Sequence, residues 1–152
     1  MIKETKGNIL SASEDIICHQ VNCQGVMGAG LAKQIKEKYP SAYRVYKYMC
    51  DNVVYKPDLL GKVREVKEHD GKIIAHIFGQ FSYGRGRVFT DYEALKCGLE
   101  LIKTSAMTNK RSIALPYGIG CGLAGGNWSE VYKMIESIFE DYEVTIYKLY
   151  QN

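Results

Sequence analysis

Two clusters of glycine carry the residues with the clearest chemical potential. The first reads Asn22-Cys23-Gln24-Gly25-Val26-Met27-Gly28-Ala29-Gly30-Leu31-Ala32 and the second Pro116-Tyr117-Gly118-Ile119-Gly120-Cys121-Gly122-Leu123-Ala124-Gly125-Gly126. Each stands where an apolar run of strand length gives way to an amphipathic run of helix length. Glycine at such a junction lets backbone N–H groups turn toward a bound anion, and the amino terminus of the following helix adds partial positive charge. Two loops of this kind meeting at one sheet edge would hold a diphosphate between them, although each cluster alone reads equally well as a tight turn. No Gly-Lys-Ser/Thr follows either cluster, which excludes a Walker A loop. The first carries GxGxxG in no register, which disfavours a dinucleotide Rossmann site.

Other reactive side chains are sparse. His19, His69 and His76 have no metal-ligand spacing to one another or to the cysteines at 18, 23, 50, 97 and 121, so no resident metal or cofactor is expected. The five cysteines form no CxxC pair, which fits reduced thiols in core or loop positions better than a disulfide framework. Net charge is +3 with no basic run, and the aromatic residues follow no RNA-binding pattern. Twelve tyrosines against one tryptophan suggest helix-face and strand residues with solvated hydroxyl ends.

Parallel strands are needed to bring the two clusters to the same edge, and the chain has the pattern for them. At 152 residues, 46% of them apolar, it is long enough for one domain over residues 1–152 that buries a core without disulfide or metal staples. Strands are expected at Ile2–Lys6, Asp15–Asn22, Gly61–Glu68, Lys72–Phe78, Ser112–Leu115 and Glu143–Tyr150. Helices are expected at Gly28–Tyr39, stopped by Pro40, then at Ala42–Cys50, Asp91–Thr104 and Asn127–Asp141. Ala94, Leu95, Leu99 and Ile102 share one face of the third helix, and Trp128, Val131, Ile135, Ile138 and Phe139 one face of the fourth. Strands interleaved with helices predict an α/β layer fold with ligands beyond the carboxyl ends of its strands. Asp70-Gly71 predicts one tight antiparallel connection. Uncharged stretches such as Ile113 to Asn127 are broken by Pro and Gly and fall short of the roughly 20 apolar residues of a membrane span. The amino terminus lacks the apolar core of a signal peptide, so a cytoplasmic protein with no membrane partner is expected.

Together these segments resemble the macrodomain family, the ADP-ribose-binding α/β fold. The resemblance runs from Lys6-Gly7-Asn8-Ile9 to Thr145-Ile146-Tyr147-Lys148-Leu149. Its carrying segments are His19 to Ala32, Gly118-Ile119-Gly120-Cys121-Gly122-Leu123, and Trp128-Ser129-Glu130-Val131. They are most similar to the branch holding the terminal ADP-ribose glycohydrolase, the macrodomain antitoxins and the fungal ADP-ribose 1″-phosphate phosphatase. The resemblance implies a three-layer α/β/α macrodomain with a mixed, largely parallel six-stranded sheet.

By the same resemblance, Gly28, Ala29 and Gly30 lie against the diphosphate and distal ribose, Asn22 bonds the distal ribose, and Gly118 to Leu123 close from the other side. Asn8 stands where many macrodomains keep an adenine-binding aspartate, and its carbonyl can accept the same bond; Ile9 would line the adenine slot or belong to the core. The branch's catalytic lysine and aspartate align with Gln80 and Ala124, neither of which can supply a nucleophilic amine or a proton. His19 matches a histidine of the phosphatase, with Asp91 as candidate partner; the alternatives are a satisfied strand residue and a helix cap. Three residues along a strand would place His19 and Asn22 on opposite faces. Arg85 or Arg87 could clamp a terminal phosphate. The partner expected is ADP-ribose or an ADP-ribosylated macromolecule, with nucleic acid only as an ADP-ribosylated substrate; the expected activity is hydrolysis of an ADP-ribose derivative, and the alternative is a non-catalytic reader.

Overall fold

Ile16 and Cys18 of the second strand point to one side of the sheet, Ile17 and Val21 to the other, and each set meets its own pair of helices. The structure is a computed structural model and describes residues 1–149. Six strands, β1 (Ile2–Lys6), β2 (Ile16–Val21), β3 (Val63–Lys67), β4 (Ile73–Phe78), β5 (Ile113–Pro116) and β6 (Val144–Lys148), form one sheet in the order β1-β6-β5-β2-β4-β3. Every neighbouring pair is parallel except β3 and β4. Asp70-Gly71 turns that antiparallel connection, with Gly71 at φ 88°, a left-handed backbone that glycine adopts without strain.

Helices α3 (Tyr92–Asn109) and α4 (Trp128–Ile138) cover one face of the sheet, α1 (Gly30–Lys38) and α2 (Pro40–Asn52) the other. The expected three-layer α/β/α arrangement is therefore present. Ala94, Leu95, Leu99 and Ile102 are buried, as are Val131, Ile135 and Phe139, whereas Trp128 and Ile138 are half-buried. Strands β2 and β4 have apolar residues on both faces because each lies inside the sheet between two helical layers.

Several local expectations are corrected. Pro40 does more than stop a helix: it occupies the first turn of α2, where its missing N–H is harmless, so α2 starts earlier than Ala42 and runs on to Asn52. The third helix continues past Thr104 to Asn109, and short 3-10 turns form at Ile9–Ser11 and Lys56–Leu59. Cys97 is exposed on α3, neither core nor loop. Tyr39 and Tyr46 are fully buried rather than solvated at their hydroxyl ends. The last strand ends at Lys148, and the expected end at Tyr150 lies outside the described residues. Among the described residues no helix is long and apolar enough to cross a membrane.

Candidate functional site

Strands β2 and β5 are adjacent and parallel, so the chain leaves both at the same edge of the sheet. The two glycine clusters follow these strands, and a cavity of about 570 Å³ opens between them. One wall is Gly28, Ala29 and Gly30, where the backbone enters α1, and the opposite wall is Gly118, Ile119, Gly120, Gly122 and Leu123. The end of β2 supplies His19, Gln20 and Asn22; the segment after β4 supplies Gln80, Tyr83 and Arg85. Gly30, Gly118 and Gly120 have φ of 56°, 75° and 75°, values that turn the chain where a side chain would be strained. Among the described residues, the N–H groups of Gly28, Ala29, Gly30, Gly118, Gly120 and Gly122 donate to no other part of the protein.

His19 and Asn22 share this cavity despite the three-residue spacing. The strand ends at Val21, so Asn22 lies past the last paired residue and the alternation of the pleat no longer governs it. The Asn22 carboxamide is held rigidly: its Oδ1 accepts from the Tyr46 hydroxyl at 2.8 Å and from Gln24 N–H at 2.9 Å, and its Nδ2 donates to the Val26 carbonyl at 2.8 Å. The Tyr46 hydroxyl has one hydrogen and also faces the Asn22 backbone carbonyl at 2.9 Å, so that hydrogen is shared between the two oxygens. With Gln24 N–H on Oδ1 as well, the free amide hydrogen is the group Asn22 offers most readily to a bound oxygen.

The second loop is fastened from behind. Gln20 Nε2 donates to Gln80 Oε1 and to Thr90 Oγ1, each at 2.9 Å, and the Thr90 hydroxyl donates to the Gly120 carbonyl at 2.6 Å. The Ala124 carbonyl accepts from Phe89 N–H at 2.7 Å, tying the loop to the segment before α3. Both residues aligned with the branch's catalytic pair, Gln80 and Ala124, line the cavity. Arg85 also lines it, whereas Arg87 stacks on Phe89 with its guanidinium 5.0 Å from the ring centre.

The other expected site residues take structural positions outside the cavity walls. Asp91 caps α3, its Oδ1 accepting from Ala94 N–H at 3.0 Å, and it does not meet His19. Asn8 caps a short 3-10 turn by accepting from Leu10 N–H, and Ile9 is buried in the α1–α2 core. Cys121 turns its thiol toward the Ile119 carbonyl. Burial pushes the Cys121 thiol up to about 11 and the Cys23 thiol up to about 12, so neither is a thiolate near neutral pH. Among the described residues no group of three or more His, Cys, Asp or Glu could hold a metal.

Sequence reading missed Tyr46 and His76, which act on Asn22 and His19 from more distant parts of the chain. It also missed Gln20, whose only sequence signal is its place within the quoted segment.

The macro domain family model matches residues 18–135. The DNA ADP-ribosyl glycohydrolase of Mycobacterium tuberculosis is 30% identical over 97% of this chain and 42% of that protein. The ADP-ribose 1″-phosphate phosphatase of Saccharomyces cerevisiae is 28% identical over 97% of this chain and 98% of that protein. Among solved structures, the macrodomain of Thermus aquaticus DarG shares the fold with a TM-score of 0.77 at 26% identity, covering 100% of this chain and 99% of that one. The chain belongs to the macro domain family. It spans about two fifths of the length of the glycohydrolases it matches.

Proposed function

We propose that the cavity binds ADP-ribose and that the protein hydrolyses an ADP-ribose derivative. The observation that carries the binding reading is the pair of glycine loops facing each other across one cavity with free N–H groups on both sides. Such donors suit a diphosphate, which spreads its charge over several oxygens and needs several short contacts. The two relatives above have ADP-ribose or an ADP-ribosyl group in their names, which agrees with this reading. The distal ribose would lie toward Asn22.

The same walls bear on the chemistry. Neither lysine nor carboxylate is among the cavity-lining residues of the described chain. Hydrolysis would therefore proceed by water attacking the anomeric carbon of the distal ribose, with the bond to the adduct breaking and a water proton passing to the leaving group. Asn22 and loop N–H groups would orient the oxygens by donation. On ADP-ribose 1″-phosphate, neutral His19 would instead attack phosphorus: an N–P bond forms as the P–O bond to the ribose breaks, the ribose oxygen takes a proton from water, and a second water hydrolyses the phosphohistidine.

Calorimetry is expected to show micromolar binding of ADP-ribose; no heat and no thermal shift at millimolar ligand would reject the proposal. End-point assays on ADP-ribose 1″-phosphate, ADP-ribosylated protein carboxylates and ADP-ribosylated nucleic-acid bases identify the substrate. If the phosphate ester turns over, His19→Ala should lower the rate at least ~10²-fold, well beyond any accompanying loss of ADP-ribose affinity of about tenfold. Trapping of a lysyl–ribose adduct with borohydride would overturn the water mechanism. A second reading, a reader that binds ADP-ribose without hydrolysing it, is favoured by the absence of lysine and carboxylate from the walls, and no turnover on all three substrates would establish it.

Tyr46 supplies a further test of the Asn22 assignment. Tyr46→Phe keeps the ring in its packed position and removes the hydroxyl that faces Asn22 Oδ1 and the Asn22 carbonyl and accepts from Gly25 N–H, loosening the first loop at Asn22. ADP-ribose affinity is expected to fall about tenfold, the effect of one misdirected hydrogen bond. Unchanged affinity by calorimetry would show that Asn22 does not need this partner.

A further inference from the structure

Two side-chain atoms among the described residues are buried without a hydrogen-bond partner: His19 Nδ1 and Gln20 Oε1. They belong to adjacent residues near the end of β2, and both residues line the cavity. His19 is only 2% exposed. Its free nitrogen stands at one end of a chain of bonds whose polarity is dictated from the other end.

That other end is the Ala42 carbonyl on α2. A carbonyl only accepts, so His76 Nε2, 2.9 Å away, carries a hydrogen. Burial holds His76 neutral, which makes its Nδ1 a bare acceptor. His19 Nε2 lies 2.7 Å from that nitrogen and must donate to it. Burial and the neighbouring His76 keep His19 neutral too, so its own Nδ1 has no hydrogen. The two histidines are paired in register across β2 and β4, which places their rings side by side on the face that α2 covers. Ala42 and Tyr46, one turn apart on α2, thus hold His76 and Asn22 respectively.

We propose that His76 is a positioning residue that locks His19 in the Nε2–H tautomer, so that His19 Nδ1 accepts a hydrogen bond from a hydroxyl of the ligand. The inference rests on the cavity being an ADP-ribose site, in which ribose hydroxyls are the available donors. Asn22 Oδ1 already accepts from Gln24 N–H and faces the Tyr46 hydroxyl, which leaves it poorly placed for that part; His19 supplies the acceptor and Asn22 the donor. A ribose hydroxyl both gives and takes a hydrogen bond, and this pairing of wall groups offers one of each.

Two-bond proton–nitrogen NMR spectra of the nitrogen-labelled protein at neutral pH report the tautomer of each ring directly, with exposed His69 as an internal reference. The free protein is expected to show His19 and His76 both as Nε2–H tautomers, and ADP-ribose is expected to shift the His19 Nδ1 signal while leaving His69 in place. His76→Phe, which keeps a ring but removes the acceptor, should release His19 into a tautomer mixture and weaken ADP-ribose binding about tenfold. His76→Gln, whose carboxamide can accept from His19 and donate to Ala42, should restore both the tautomer and the affinity. An Nδ1–H tautomer of His19 in the free wild-type protein overturns the lock, and so does an unchanged tautomer in His76→Phe. Calorimetric binding of ADP-ribose without movement of the Nδ1 signal overturns the contact. Complete absence of binding rejects the ADP-ribose reading and the contact together, whereas the spectra of the free protein still decide the lock.

Discussion

Gly28→Leu is expected to abolish measurable ADP-ribose binding, an affinity loss of at least ~10²-fold or about 3 kcal/mol, with no more than a few degrees' change in melting temperature. Gly28 is exposed at the cavity wall and its φ is negative; an added Cβ would meet only Val26 Cγ1 at 3.5 Å, an ordinary contact. The new side chain therefore has room in the protein itself and would occupy the path proposed for the diphosphate. Gly120 answers differently, although it faces the same cavity. Its φ is 75°, and an added Cβ would lie 3.0 Å from Gln20 Oε1 and 3.2 Å from Thr90 Oγ1. A bulky residue at 120 strains the backbone and pushes apart the bonds that fasten the loop, so Gly120→Leu should destabilise the fold by about 3 kcal/mol. Calorimetry and thermal melts on the two variants separate the cases. Wild-type affinity in Gly28→Leu would place the diphosphate elsewhere.

The second large effect is a loss of stability in acid. His76 is almost completely buried, and desolvation, aided by the Arg64 charge across the β3–β4 pair, lowers its pKa from 6.5 to about 4 despite the opposing bond to Ala42. Its other ring neighbours are Tyr46 and His19. The unfolded chain takes up this proton near pH 6.5 and the folded chain only near pH 4. The stabilising contribution is complete above about pH 6.5 and is lost progressively as pH falls toward about 4, by about 3 kcal/mol. His19, shifted downward for the same reason, acts with the same sign. Denaturant melts across this range should show the decline, and His76→Gln, with one fewer group to protonate, should lose distinctly less. Parallel pH dependence in the two proteins would show that carboxylates alone drive acid unfolding.

The layered architecture was legible because its signals are local. The apolar run within Asp15–Asn22, the helical spacing from Ala94 to Ile102 and the Asp-Gly turn each report on a few consecutive residues, and the structure uses them as read. The glycine loops were legible for the same reason, since their neighbours in sequence already show where a strand ends and a helix begins. Local reading failed where one residue has two local uses. Pro40 is as good a first-turn residue as a helix stop, and only the position of the neighbouring backbone chooses between them; of the two readings open for Asp91, the helix cap is the one the structure displays.

Composition and pattern were sufficient for the class of fold and the sheet-edge location of the two loops, because those follow from strand and helix periodicity and from glycine's backbone freedom. The hydrogen-bonding character of the site followed instead from contacts between segments far apart in the chain. Tyr46, 24 residues from Asn22, directs its hydroxyl at that residue, and His76, 57 residues from His19, sets which nitrogen of that ring is free. The identities of Asn22 and His19 allow a donor or an acceptor at either position. Packing of α2 against β2 and β4 narrows that freedom, since a carbonyl can only accept, a neutral imidazole has one hydrogen, and the Asn22 carboxamide oxygen already accepts from Gln24 N–H.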